Sequence, residues 1–200
     1  MAEHIKASAG FTNAAKNTLF VMAAGNDGNN NDEKAASPAN VKTGNTISVA
    51  ATIDRKSLAK FSNYGVKNVD VAAPGVGIDS TIPGDDRLKM SGTSMAAPYV
   101  THVAGLVKDA NPNLNPAQMR QILIETVDQK DFLKGKVLSG GIVNLPRAVK
   151  AAKLSQSMDL AKAIAEARSQ VGDVPSLMSI KSLRAASDIV PVAMPMPIFE

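Results

Sequence analysis

The chain has 200 residues, 44% of them hydrophobic, which is enough to bury one core and leave an appendage. It has no cysteine, which excludes a disulfide framework and a metal–thiolate site, and its net charge of +4 is scattered among only 4% aromatic residues, which argues against a nucleic-acid surface. No apolar run reaches about 18 residues, so no membrane span is expected, and the opening MAEHIKASAG lacks the apolar centre of a signal peptide.

In chain order, NTLFVMAA (17–24) and NTISVAAT (45–52) are near-continuous apolar runs, the pattern of parallel strands buried on both faces. NVDVAAP (68–74) is a third, shorter candidate. GIDST and RLKMS flank IPGDD and predict a hairpin over 77–91. Apolar residues at 95, 99, 100, 103, 106 and 107 predict a buried helix from Ser94 to about Ala110, capped by Thr93 or Ser94. Pro98 falls at or just past its first turn, where a missing N–H does least harm. NPAQMRQILIETV (115–127) predicts a helix capped by Asn115, with Pro116 first, Gln118 completing a capping box, and Met119, Ile122, Leu123 and Val127 on one face. Alternating strands and helices imply an α/β layered fold.

The character changes after residue 152, which divides the chain into 1–152 and an extension, 153–200. SQSMDLAKAIAEARSQV (155–171) predicts an Ala-rich helix with Leu160, Ile164, Ala167 and Val171 on one stripe. The Pro-rich DIVPVAMPMPIFE (188–200) cannot form a regular helix and reads as a linker or tail, or as a docking peptide for a partner.

The chemistry concentrates in MSGTSMAAPYVTHVAG (90–105). A serine hydroxyl attacks a carbonyl only if a base within reach takes its proton. Small neighbours at Gly92, Ala96 and Ala97 let a substrate backbone approach Ser94, and a helix N-terminus favours a developing oxyanion. Taken alone, Ser94 reads as an N-cap on a core helix, and GNDGNNND (25–32) as a polar turn.

GTSMAAP (92–98) resembles the nucleophile segment of the subtilisin-like serine proteases, the subtilases, whose pattern is G-T-S-M-A-x-P. LFVMAAGNDG (19–28), FSNYG (61–65), VDVAAPGVGIDSTIPG (69–84) and GIVNLPRAVKAA (141–152) resemble further segments of that family, in its order, over about residues 5–152. The resemblance implies a three-layer fold, a parallel sheet flanked by helices, incomplete on its N-terminal side. It implies serine endopeptidase activity on polypeptides, with Ser94 as nucleophile and Asn26 as oxyanion donor. Ala23, Ala24 and Gly25 would line the pocket for the residue before the scissile bond, beside Gly92 and Thr93. It also implies a secreted or cell-envelope location, no cofactor for the chemistry, and a weak case for a structural calcium ion near Asp54.

The family's triad runs Asp, His, Ser, and only 25 residues precede Asn26, which leaves no room for the first two. THVAG (101–105) is similar to part of the family's H-G-T-H-V-A-G, but Tyr99 holds the catalytic His position, and His102 lies about 12 Å along the helix from Ser94. His4 lacks the motif, and Asp79 in GIDST has Thr81 where the family's D-[ST]-G has Gly. The expectation is therefore the C-terminal half of a peptidase domain, inactive alone, with the missing half supplied in cis or in trans. The alternatives are a non-catalytic peptide-binding module and a truncated remnant. Neither a nucleic acid nor a membrane is an expected partner.

Overall fold

A computed structural model describes residues 1–175. Helix α1 (Ala2–Ala14) leads into strand β1 (Phe20–Ala23), followed by β2 (Thr46–Ile53), the short β3 (Ser57–Leu58) and β4 (Val71–Pro74). A hairpin of β5 (Ile78–Ile82) and β6 (Asp86–Met90) delivers the chain to α2 (Thr93–Ala110). Then come α3 (Pro116–Glu125), β7 (Asp128–Gln129), a 3-10 turn (Asp131–Leu133), β8 (Gly141–Ile142), α4 (Leu145–Leu154) and α5 (Leu160–Gln170). The predicted tail over 188–200 lies outside the described residues.

The main sheet runs β1-β2-β4-β8-β7, and β1, β2, β4 and β8 are parallel. Two short strands, β3 and β7, add antiparallel pairings at its margins. Strand β2 explains why its sequence shows no alternation: seven of its eight residues are buried. Ile47, Val49 and Ala51 pack with Val71 and Ala73 toward α2, α3, α4 and α5, while Ala50, Ala72 and Ile142 face Leu133 and Val137 on the other side. Helix α1 is tied on by Asn45, whose amide donates to the Thr12, Ala15 and Thr18 carbonyls.

Most of the predicted elements form, with shifted ends. Helix α3 has the expected capping box, Asn115 accepting from the Gln118 N–H and Gln118 from the Asn115 N–H. The helix expected over 155–171 starts only at Leu160, because α4 continues to Leu154 and Asp159 caps the new helix through the Ala161 and Lys162 N–H groups. Its Ile164 and Ala167 join the same core as α2 and α4. The expected cap on α2 is a correction. The helix begins at Thr93, its N-cap is Gly92, and neither Thr93 nor Ser94 caps it. Thr93 is instead bonded across the cleft. Pro98 is the sixth residue of α2, and its missing N–H removes the i+4 donor to the Ser94 carbonyl.

Candidate active site

The carboxyl ends of β1 and β4 and the start of α2 meet at one rim of the sheet, where open α/β sheets carry their sites. A close backbone approach makes this possible. The Gly92 N–H donates to the Gly75 carbonyl at 2.8 Å, and a Cβ on Gly75 would lie 2.7 Å from both Gly92 O and Ala51 Cβ. Only glycine at 75 lets the strand end and the helix start touch.

Asn26 lies three residues beyond the end of β1, and its side chain takes over the capping of α2. Asn26 Oδ1 accepts from the Thr93 N–H and from the Thr93 hydroxyl, both at 2.9 Å. Thr93 Oγ1 in turn accepts from the Gly25 N–H at 3.3 Å. A backbone N–H can only donate, so the oxygen of the Asn26 amide must face Thr93. Its Nδ2 is thereby turned outward. A Cβ built on Gly92 would lie 3.5 Å from Asn26 Nδ2 and 3.7 Å from Ser94 N, so both donors flank one point. Ser94 and Asn26 are exposed at this rim, whereas Ala24, Gly92 and Thr93 are buried and Ala23 and Gly25 half-buried around them. The arrangement sets two N–H donors about one point, beside the exposed Ser94.

Neither histidine serves it. His102 is exposed on α2, eight residues beyond Ser94, and His4 is exposed on α1. Tyr99 is largely buried against the core, and burial pushes its hydroxyl pKa up, with Arg55 opposing and Asp128 reinforcing the rise. Asp79 pairs with Arg87 on the exposed hairpin. Asp54 sits at a left-handed turn with φ 42°, 3.6 Å from the Lys56 ammonium, a neighbour that does not suit a cation ligand. Among the described residues no three His, Cys, Asp or Glu side chains gather closely enough to hold a metal ion.

A model of the subtilase family matches residues 2–167. The chain belongs to the subtilase family. Alkaline elastase YaB of Bacillus sp. (strain YaB) is 42% identical over 112 residues, which cover 56% of this chain and 28% of that protein. Subtilisin Savinase of Lederbergia lenta is 35% identical over 136 residues, or 68% of this chain and 48% of that protein. A protease of Pseudoalteromonas arctica matches in structure with a TM-score of 0.62 at 35% identity, covering 72% of this chain and 46% of that one. The chain thus spans about half, or less, of the length of the relatives it matches. As a subtilase chain it has the α/β fold of subtilisin-like neighbours, a largely parallel sheet flanked by helices. Among the described residues no helix is long and apolar enough to cross a membrane.

The structure brings Asn26, Thr93, Gly92 and Ser94 together, with Ala24 and Gly25 beneath. The buried asparagines Asn31 and Asn63, each 1% exposed, do not stand out in the sequence. Their only signal was the S-N-Y-G stretch and an Asn-rich turn, and neither reports that the two meet.

Proposed function

We propose that this chain carries the nucleophile and the oxyanion site of a serine endopeptidase, and that a further polypeptide segment supplies the base. Ser94 Oγ attacks the peptide carbonyl carbon, its proton passes to that base, and the carbonyl π pair moves onto oxygen. Asn26 Nδ2 and the Ser94 N–H donate to the oxygen as it becomes negative. The C–N bond then breaks, the amine leaves with the proton, and water hydrolyses the Ser94 ester. Ala23, Ala24 and Gly25, with Gly92 and Thr93, form the wall for the residue before the scissile bond. The chemistry uses protein groups throughout and needs no cofactor. The observation that carries this reading is the amide of Asn26, locked by Thr93 with its donors turned to the face of Ser94 N.

The partner is the N-terminal part of a subtilase domain, bearing D-[ST]-G and H-G-T-H, docked along the edge of β1 that no strand among the described residues covers. A secreted or cell-envelope setting suits such a protease, and one relative is named a cell wall-associated protease. The test is to mix the chain with such a segment. Peptide hydrolysis and fluorophosphonate labelling at Ser94 should appear in the mixture, be absent from the chain alone, and fall by about 10⁶ in Ser94→Ala, the size of the loss on removing the serine of a subtilisin. Labelling of Ser94 in the chain alone, or hydrolysis that survives Ser94→Ala, would overturn the proposal.

A further inference from the structure

The loop carrying Asn26 is short, polar and exposed, and a loop of that kind does not hold a catalytic amide still by itself. Residues 26–28 are all exposed, and glycines at 25 and 28 give the backbone φ values of 113° and 65°. Thr93 fixes the side chain of Asn26 but touches only one backbone group of the loop, the Gly25 N–H.

Asn63 fixes the rest. Its Oδ1 accepts from the Asp27 N–H at 2.9 Å and the Asn29 N–H at 3.1 Å, and its own N–H donates to the Gly25 carbonyl at 2.9 Å. Its Nδ2 donates to Asn31 Oδ1 at 3.0 Å, and Asn31 Nδ2 donates onward to the Ala24 carbonyl at 2.9 Å. The Gly28 N–H closes the set on the Phe61 carbonyl at 2.7 Å. A Cβ on Gly25 would lie 2.4 Å from Asn63 Nδ2, so Asn63 occupies the space a side chain at 25 would need. The nitrogen and the oxygen of both buried amides are bonded, and every one of these side-chain bonds except that between them ends on the backbone from Ala24 to Asn29. Asn26 is the residue enclosed.

We infer that Asn63, braced by Asn31, is the positioning residue of the oxyanion site: it sets the backbone from which Asn26 reaches the reacting carbonyl. This rests on the proposed role of Asn26. Asn63 touches no substrate and acts through Asn26 alone. A one-ångström misplacement of a catalytic group costs about 10² in rate, so Asn63→Ala should lower kcat toward that figure with KM within about twofold.

Two measurements test it. In the unmutated chain, residue-resolved hydrogen exchange should find the Asp27 and Asn29 amides protected despite their exposed loop, and Asn63→Ala should release them while amides in β2 and α2 keep their protection. Unprotected Asp27 and Asn29 amides in the unmutated chain would overturn the inference whether or not any variant folds. In the mixture with the complementing segment, Asn63→Ala should lose its effect on kcat once Asn26→Ala is present, because residues acting through one group are not additive. An equal loss on both backgrounds would make Asn63 merely structural and overturn the inference. Absence of hydrolysis in the unmutated mixture overturns the proposed function instead, and leaves the exchange result to speak for the loop.

Discussion

The two edges of the sheet are finished to different degrees. At the β7 edge, Asp128 is fully buried, accepts from Arg55, from Asn144 at 2.7 Å and from the Val174 N–H at 2.9 Å, and is ion-paired with Arg147 at 3.1 Å. Arg147 also donates to the Thr126, Val127 and Val171 carbonyls, so strand, helix and the segment after α5 are bound into one knot. At the β1 edge nothing comparable exists among the described residues. Phe20 and Ala24 donate inward to β2, so by the two-residue period Val21 and Ala23 turn their N–H and C=O outward. Leu19 and Val21 line a groove of about 350 Å³ with Ala104, Leu114 and Met119, and on the opposite face Phe20 meets an exposed Phe11 edge-on at 5.5 Å. The difference teaches that the site stands between a closed half of the sheet and an open one.

Removing the centre of the closed edge should have the largest effect. Asp128→Ala takes the carboxylate from the Arg55 guanidinium, on a side chain 4% exposed, and leaves Arg147, 7% exposed, with only the rim carboxylate of Asp173. Breaking such a buried pair costs about 3–5 kcal/mol. Denaturant unfolding should show a loss of that size or a chain that no longer folds, and a loss under about 1 kcal/mol would mean that the knot does not close this edge.

The two edges also differ in how legible they were. The strands at 20–23, 46–53 and 71–74 announce themselves because burial on both faces demands unbroken apolar runs, and α3 because its capping box is a local code. Ser94 and Asn26 were legible through family motifs. The knot on Asp128 was not, since its partners lie 73 residues before it, at Arg55, and 19 residues after it, at Arg147, and no short pattern joins them. The cap of α2 failed for the same reason: a cap supplied by Asn26, 67 residues away, cannot be read from Gly92, Thr93 or Ser94. Asn63 is the extreme case, a buried polar residue whose purpose is fixed only by the loop it meets.

At the open edge the expected effect is on association rather than on folding. An unpaired apolar strand edge is a template for another chain, so the chain alone should self-associate, as read by size exclusion with light scattering. Val21→Lys places a charge at that edge, on a side chain that is already half-buried beside the groove. It should shift the distribution toward monomer at equal concentration and weaken docking of the complementing segment. A chain that is monomeric without the substitution, with a cooperative transition above about 60 °C, would show that β1 needs no neighbour.

The smallest effect belongs to the rim of the closed edge. Partial burial tends to raise the Asp173 pKa, but hydrogen bonds with Lys130 at 2.9 Å and Arg147 at 3.2 Å outweigh it and bring the carboxyl down to about 2. A carboxylate whose folded pKa lies below its unfolded value stabilises the fold above the unfolded value, and that contribution fades as the pH falls through the folded one. The window is therefore between about pH 4, the ordinary carboxylate range, and about pH 2. The Asp173 side chain is 51% exposed, so solvent screening holds its contribution to under about 1 kcal/mol at neutral pH. Asp173→Asn should lower stability slightly at pH 7 and flatten its decline between about pH 4 and 2, measured as denaturant midpoints across that range at low salt. If the unmutated chain and the variant decline in parallel over that window, Asp173 contributes nothing to the closed edge, and its sealing rests on Asp128 and its buried partners alone.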